Sequence, residues 1–203
     1  MLKIVIVLCS LFSASALAQQ STELSQAIAA FNRQDYAQAL TGFEALARDG
    51  NAEAQYRLGF TYERGEGASP DHQLAASWYR KAADQGHARA QSALGSLYEF
   101  GQGVPRDFRQ SVHWYRKAAE QGLSVALYNL GVMYRDGQGV LQDFIEAHKW
   151  FNLASARSQY SDFSIIASSE RNSLAEKMTR EQIATAQARA NAWRPENASE
   201  PKP

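Results

Sequence analysis

A 36-residue period runs through the middle of this 203-residue chain and restricts its fold more than any other feature. Four residue types recur at that spacing, each in three copies. The four columns are Gly59, Gly95 and Gly131; Tyr62, Tyr98 and Tyr134; Asp71, Asp107 and Asp143; and Trp78, Trp114 and Trp150. A fixed period of about 20–50 residues is typical of a solenoid, because one such unit cannot bury its apolar face without neighbours.

Each copy is predicted to form two helices joined by a glycine-rich loop. In the middle copy, Leu94 and Tyr98 fall on one face of a first helix. The loop that follows contains two glycines and Pro105, which interrupt a helix. Asp107 is placed to cap a second helix, whose apolar face carries Trp114. The other copies repeat this plan, so the pattern predicts a series of helical hairpins.

The glycine of each copy lies inside the first helix, where glycine costs about 1 kcal/mol relative to alanine. Three such glycines in one register require a packing reason. We expect the two helices of each hairpin to approach closely at this point, with the nearby tryptophan filling the remaining groove. We also expect the three tryptophans to be largely buried.

Together these residues resemble the Sel-one-like repeat, a relative of the tetratricopeptide repeat. The first copy reads Ala54, Leu58, Gly59, Tyr62, Gly65, Gly67, Asp71, Trp78, Tyr79, Ala82 and Ala83, and two further copies follow at the same spacing. The resemblance implies an all-α fold, a right-handed superhelix of about four helical hairpins with a C-terminal helical cap. It also implies a protein or peptide partner and no cofactor.

The ends of the array depart from the pattern, as the caps of a solenoid do. Upstream, Phe31, Tyr36 and Phe43 are typical of a tetratricopeptide unit with a shorter linker. The predicted organisation is a signal peptide (1–18), a tetratricopeptide-like unit (19–50), three repeats (51–86, 87–122 and 123–158), a helical cap (159–194) and a disordered tail (195–203).

The C-terminal cap is predicted from two helical patterns. Apolar residues between Ile165 and Met178 indicate one helix, and Thr179 with Gln182 forms a capping-box signature for a second. Leu153 stands where the earlier copies carry lysine. We therefore expect the C-terminal helices to cover the face of the third repeat that contains Leu153.

The first 18 residues have the features of a secretory signal peptide. Lys3 supplies a basic start, an apolar stretch runs from Ile4 to Phe12, and small residues at Ala16 and Ala18 form a cleavage site. The apolar stretch is shorter than the ~20 residues that span a bilayer. We expect cleavage after Ala18 and a periplasmic or secreted protein, an uncleaved anchor being the alternative.

Charge and composition argue against several classes of partner. The formal net charge is zero, with 21 basic and 21 acidic residues, so no overall field attracts nucleic acid or an anionic membrane surface. No apolar run beyond the signal peptide reaches transmembrane length, so we expect no integral membrane insertion. Cys9, the single cysteine, lies in the signal peptide, so an apolar core rather than disulfides must stabilise the exported protein.

The residues that could carry chemistry form no catalytic or metal-binding pattern. The four histidines share no repeat register, and no His-Glu-x-x-His or Cys-x-x-Cys sequence occurs, which argues against a metal site. The Gly-x-Gly loops lack the lysine and the preceding strand of a phosphate-binding loop. The helical repeat brings carboxylates such as Glu63 and Glu99 near each other, and we expect these to be solvated.

One enzymatic alternative follows from the resemblance. Some secreted Sel-one-like proteins bind or hydrolyse β-lactams, but those members carry a disulfide in each repeat. This chain has no such cysteines and lacks Ser-x-x-Lys. The favoured function is a non-enzymatic, monomeric scaffold or adaptor that binds a protein or peptide in the bacterial cell envelope. A β-lactam-binding or β-lactamase-like protein is the alternative.

A variable column on the first helices is the candidate recognition surface. Two and six residues after the recurring alanine, the copies hold Tyr56 and Phe60, then Ser92 and Ser96, then Tyr128 and Val132. This column varies while the packing columns do not, as expected of a binding surface on a repeated scaffold. The candidate partner-binding residues are Tyr56, Phe60, Glu63, Glu99, Tyr128 and Arg135. The alternative is that the aromatic residues pack against the adjacent repeat.

Overall fold

Helices make up the regular structure of the chain. A computed structural model describes residues 18–158 and 161–195, and no strand occurs within those ranges. Residues 1–17 of the predicted signal peptide and residues 196–203 of the predicted tail lie outside the described residues. The helices are α1 (18–32), α2 (Tyr36–Arg48), α3 (Ala52–Arg64), α4 (His72–Asp84), α5 (Ala88–Phe100), α6 (Phe108–Glu120), α7 (Ser124–Asp136), α8 (Phe144–Arg157), α9 (Ser161–Ala175) and α10 (Arg180–Ala192).

The residues that border the loops begin and end the helices as the sequence predicts. Asp107 accepts hydrogen bonds from two backbone N–H groups at the start of α6, and Asp143 does the same for α8. These bonds satisfy donors that have no partner inside the helix. The first helix of each repeat ends at a glycine in the left-handed conformation, namely Gly65, Gly101 or Gly137.

The chain divides into two compact units between Ala82 and Ala83, near the end of α4. In the N-terminal unit, α1, α2 and α3 enclose a core in which Phe43, Leu46 and Leu58 are almost completely buried. In the C-terminal unit, α5 packs against α6 and α7 packs against α8. The largest side chains that this second unit buries completely are Leu94, Leu97, Tyr115, Leu127, Leu130, Met133 and Phe151.

The glycine in each first helix contacts an aromatic ring of the second helix. A Cβ atom at Gly95 would lie 2.8 Å from Cδ1 of Tyr115, closer than carbon atoms pack. The same contact recurs as Gly59–Tyr79, Gly95–Tyr115 and Gly131–Phe151. The predicted close approach is confirmed, but the expectation that tryptophan fills the groove is wrong. The ring there belongs to the residue that follows the tryptophan.

Two of the three tryptophans are buried as predicted. Trp114 and Trp150 are 3% and 6% exposed, and Trp78 in the first copy is buried less deeply. The residue after each tryptophan takes the deepest place in the core and leaves the indole nearer the rim. The Lys117 ammonium lies 4.9 Å from the Trp114 ring centroid, and the Lys149 ammonium lies 3.9 Å from that of Trp150. A cation over an indole face is stabilising.

The C-terminal helices cover the third repeat, as the sequence predicts. Leu153 is 7% exposed and lies in one apolar cluster with Ala167 of α9 and Ala190 of α10. Arg171 of α9 also donates a hydrogen bond from Nη1 to Oδ1 of Asn152, at 2.9 Å. The two positions that are Arg-Lys in earlier copies are therefore contacts between α8 and the cap.

The cap continues the 36-residue register although its characteristic residues are lost. α10 begins at Arg180, one period after the start of α8, and its N-cap Thr179 occupies the position of Asp143. Thr179 and Gln182 form the predicted capping box. The register is hard to recognise in the sequence because Ala186 stands where the earlier copies have tryptophan.

The second glycine of a loop permits contact between successive hairpins. Gly139 has a φ of +71°, and a Cβ atom there would collide with the carbonyl oxygen of Phe108 at the start of α6. In the N-terminal unit, a Cβ atom at Gly67 would lie 2.8 Å from Cβ of Tyr36 at the start of α2. Each of these two loops therefore lies directly on the second helix of the hairpin before it.

Candidate protein-binding site

Tyr56 and Phe60 of α3 are half-buried, with one side of each ring against the core. The Tyr56 ring centroid lies 5.8 Å from that of Tyr79, and the Phe60 centroid lies 6.2 Å from that of Phe31. The Arg64 guanidinium lies 5.3 Å from the Phe60 centroid. Each ring therefore packs against other residues on one side, as the alternative interpretation of the variable column expected. The rest of its surface remains accessible.

Helix α3 separates its fully buried packing residues from these partly exposed rings. Ala54 and Leu58 are completely buried, and Thr61 is 1% exposed. Tyr62 belongs to a recurring column but is only half-buried, and its hydroxyl donates a hydrogen bond to Glu44 at 3.2 Å. Burial and the Glu44 charge raise the pKa of Tyr62, which keeps it a donor.

The Glu63 carboxylate is not solvated as predicted but is half-buried. Its Oε2 accepts a hydrogen bond from the Tyr79 hydroxyl at 2.6 Å. Tyr79 is completely buried, and burial together with the Glu63 charge raises the pKa of its hydroxyl. A buried hydroxyl requires a partner. Glu63 therefore supports the core at the same time as it borders the surface near Phe60.

The corresponding residues of the second repeat form the same pair. Glu99 Oε2 accepts a hydrogen bond from the Tyr115 hydroxyl at 2.7 Å. Burial raises the pKa of Glu99, and the hydrogen bond from Tyr115 acts in the opposite direction. Ser92, which the variable column also contains, is 8% exposed and belongs to the interior, whereas Ser96 is half-buried.

The predicted site residues of the third repeat contact the chain's own cap. The Tyr128 ring centroid lies 5.6 Å from that of Phe163 in α9. Arg135 Nη1 donates to Glu170 of α9 at 2.6 Å, and Arg135 Nε donates to Asp136 at 2.7 Å. The hydrogen bond with Asp136 is the main cause of the raised pKa of Arg135. Tyr128 and Arg135 are thus partly engaged by α9.

One sequence signal indicated these pairings and was missed. Where the second-helix residue is tyrosine, the first helix carries glutamate, as in Glu99 and Tyr115. In the third copy the tyrosine becomes Phe151, which has no hydroxyl, and the glutamate becomes Arg135. The two positions change together because the carboxylate serves the hydroxyl.

We expect Tyr115→Phe to lower the free energy of unfolding by about 1.5 kcal/mol, because a half-buried carboxylate loses its charge-assisted hydrogen bond. Urea denaturation measures this loss. Tyr134→Phe is the matched control, since its hydroxyl bonds to Arg116 on the exposed surface, and a change below about 0.5 kcal/mol is expected there. Equal losses in the two variants would contradict the structural role of the Glu99–Tyr115 pair.

Histidine, cysteine and acidic side chains are the residues that could bind a metal ion, and a long apolar helix is what could cross a membrane. Within residues 18–158 and 161–195, no group of three or more His, Cys, Asp or Glu side chains is placed to bind a metal ion. In the same part of the chain, no helix is both long and apolar enough to cross a membrane. The histidines remain dispersed, and His148 is the one that is buried, at 3% exposure.

His148 makes stability depend on pH. Its Nδ1 has no hydrogen-bond partner in the described chain, and burial, with a smaller effect of Arg171, lowers its pKa below the usual 6.5. The folded state therefore disfavours the protonated form. Its contribution to stability is complete above about pH 6.5 and is lost as the pH falls through the lowered pKa.

We expect the urea concentration at the unfolding midpoint to decrease as the pH is lowered from about 7 to about 5. His148→Val should remove part of that decrease. Valine is the residue at this position in the second repeat, Val112. His113→Val, on the exposed face of α6, is the control and should keep the full pH dependence. The assignment fails if His148→Val titrates like the wild type.

Comparison with known proteins identifies the class and then the family. The chain is an all-α repeat superhelix, and Sel1 repeats match residues 52–87, 88–123 and 124–158, more than half of its length. The chain belongs to the Sel1 repeat family, which confirms the predicted resemblance. Proteins of this family generally serve as protein-interaction scaffolds, and the fold is typically non-catalytic.

Two solved structures are similar in sequence as well as in fold. A Sel1 repeat protein from Oxalobacter formigenes is 30% identical with a TM-score of 0.64, over 81% of this chain and 73% of that one. The second is c5321, a protective antigen present in uropathogenic Escherichia coli strains. It is 31% identical with a TM-score of 0.56 over 75% of this chain, which spans 40% of the antigen. The search of curated proteins found no match to the chain.

Proposed function

We propose that this protein is a non-enzymatic scaffold or adaptor that binds a protein or peptide partner in the bacterial cell envelope, as a monomer. One observation carries the proposal. On α3 the small and aliphatic packing residues are completely buried, whereas two large aromatic residues, Tyr56 and Phe60, keep part of their surface exposed. Partly exposed aromatic side chains are characteristic anchors of protein interfaces.

The charged groups around these rings support the same interpretation. Arg64 extends over Phe60, and Glu63 is held in place by its bond to Tyr79. An aromatic anchor beside charges of both signs can bury an apolar side chain of the partner and orient a polar one. Because the rings are already packed on one side, a partner would meet a surface with little conformational entropy to lose.

In the C-terminal unit, Glu99, Tyr128 and Arg135 are the proposed contacts. Glu99 has one carboxylate oxygen engaged by Tyr115, so its other oxygen is available to a donor from the partner. Tyr128 and Arg135 keep partial exposure beside α9 and would bind at the border between the third repeat and the cap. These three residues lie outside α3, so their substitution tests a contribution to binding that is separate from that of Tyr56 and Phe60.

Location in the envelope rests on the signal peptide. Intact-mass measurement of the periplasmic fraction should give a chain that begins at Gln19, as expected for cleavage after Ala18. A full-length protein in the membrane fraction would contradict export. This measurement tests the location without depending on the binding surface.

Affinity capture from the native envelope fraction tests the binding surface. We expect wild-type protein to retain a partner that Tyr56→Ser/Phe60→Ser does not retain. Ile165→Ser/Ile166→Ser is the matched control, because these isoleucines are 64% and 49% exposed on α9, and it should capture normally. Because the α3 rings also pack on the core, we expect each substitution to lower the free energy of unfolding by about 2 kcal/mol. If the Tyr56→Ser/Phe60→Ser variant is folded and still retains the partner as well as the wild type does, the proposed site is wrong.

A further inference from the structure

The outer face of α6 is strongly basic although the whole chain has no net charge. One exposed cationic residue lies just before this helix and three lie along it, and we call the four the basic face: Arg106, Arg109, Arg116 and Lys117. None of the four is paired with a carboxylate within the described residues. Charge that averages to zero over the chain is therefore concentrated locally.

Uncharged neighbours hold most of the basic face in position. Arg116 donates a hydrogen bond from Nη2 to the Tyr134 hydroxyl at 2.8 Å. The Arg106 guanidinium lies 5.3 Å from the ring centroid of Phe108, and Lys117 lies over Trp114. Two acidic residues border the same face: Asp107, whose carboxylate already accepts two backbone hydrogen bonds, and Glu120 at the end of the helix, which is half-buried. These contacts orient the cations without neutralising them.

Two protruding apolar side chains stand at the N-terminal end of the basic face. Phe100 is 64% exposed and Leu141 is 90% exposed. Phe100 precedes Gly101, where a Cβ atom would lie 3.1 Å from Cβ of Arg106. Leu141 follows Gly139, which lies against the backbone of Phe108. Exposed apolar side chains lower solubility, so their place beside unpaired cations suggests that a ligand covers them.

We propose that the basic face, with Phe100 and Leu141, binds peripherally to an anionic phospholipid surface. Phosphate headgroups would accept hydrogen bonds from the guanidinium groups, which suit phosphate geometry. The two apolar tips would enter the boundary between headgroups and acyl chains. This surface shares no residue with the rings of α3, so the scaffold would keep its partner-binding residues while bound to a membrane.

The arrangement suits a lipid surface better than an acidic protein segment. The three cations on the helix, from Arg109 to Lys117, extend over about 12 Å, a length that meets several headgroups rather than one carboxylate. Leu141 projects almost free of its own chain, and a fluid surface accepts such a tip without a preformed complementary pocket. Each Lys or Arg at an anionic membrane strengthens binding about fivefold, so four together give a measurable affinity at low salt.

Vesicle co-sedimentation of the mature protein tests the proposal. Vesicles of phosphatidylglycerol and phosphatidylcholine in a one-to-two ratio are compared with vesicles of phosphatidylcholine alone. We expect binding to the anionic vesicles only, weakened by salt. Arg106→Gln/Arg109→Gln should reduce it about fivefold for each charge removed. Phe100→Ser/Leu141→Ser should reduce the vesicle binding that remains at high salt, where charge is screened and the apolar contribution persists.

Matched variants distinguish this surface from a general effect of charge. Arg89→Gln/Arg180→Gln removes the same charge from exposed positions on α5 and α10 and should bind like the wild type. An equal loss in this control overturns the proposal, as does the absence of binding at low salt in protein with wild-type circular dichroism. Binding to poly-glutamate without binding to vesicles also overturns it and identifies an acidic protein as the ligand. Capture through α3 is unaffected by any of these results.

Discussion

Trp114→Ala should lower the free energy of unfolding of the C-terminal unit by about 3–5 kcal/mol. Trp114 is 3% exposed on α6, so truncation leaves a cavity that the helices can only partly fill. The Lys117 ammonium, which lies over the indole, also loses its aromatic contact. Urea denaturation followed by far-ultraviolet circular dichroism measures the change.

Phe100→Ala is the matched control for this substitution. It removes an aromatic ring from the adjacent helix, but that ring is 64% exposed, so a change within about 0.5 kcal/mol is expected. A Trp114→Ala midpoint as high as that of the control would mean that the tryptophan column does not stabilise the hairpin.

Gly139→Ala should destabilise the C-terminal unit by about 3 kcal/mol. Part of the loss is backbone strain, because alanine at a φ of +71° costs about 1–2 kcal/mol. The rest comes from collision of the new Cβ atom with the backbone of Phe108, which forces the loop away from α6. Thermal and urea unfolding both report the loss.

Gly86→Ala separates the two contributions. Gly86 also has a left-handed backbone, with a φ of +87°, but nothing lies within 4 Å of the position that a Cβ atom would take. It therefore measures strain alone, and a loss of about 1–2 kcal/mol is expected. If both alanine variants lose the same free energy, the contact between the loop and the preceding hairpin contributes nothing.

The recurring columns of the sequence predicted the fold because each column has one backbone role in every copy. Asp107 and Asp143 cap second helices, and Gly101 and Gly137 end first helices, through local bonds that depend only on neighbouring residues. Such roles can be assigned from spacing. The 36-residue period then leaves the hairpin array as the arrangement that buries the apolar faces.

The identity of the ring against each glycine could not be assigned in this way. Trp114 and Tyr115 are neighbours on one helix, and both fall within the apolar face that periodicity defines. Which of them reaches Gly95 depends on the rotation of α6 against α5, a property of the packed pair rather than of either helix. The structure places Tyr115 there and its hydroxyl on Glu99.

The candidate site was only partly predictable for the same reason. The variable column identified Tyr56 and Phe60 but also included Ser92, which is buried. Sequence variation between copies indicates a position without a fixed packing role, and it does not indicate exposure. The contacts of Tyr128 and Arg135 with α9 depend on how the cap is placed, which its altered sequence does not reveal.

Site-specific photo-crosslinking at α3 tests the central claim most directly. The protein is expressed in its native host with p-benzoylphenylalanine in place of Phe60, irradiated, and examined for covalent adducts by mass spectrometry. The same label in place of Ile165, an exposed residue of α9, is the control. We predict a defined adduct with one envelope protein at position 60 and none at position 165. No adduct at position 60, or the same adducts at both positions, would contradict recognition through this surface.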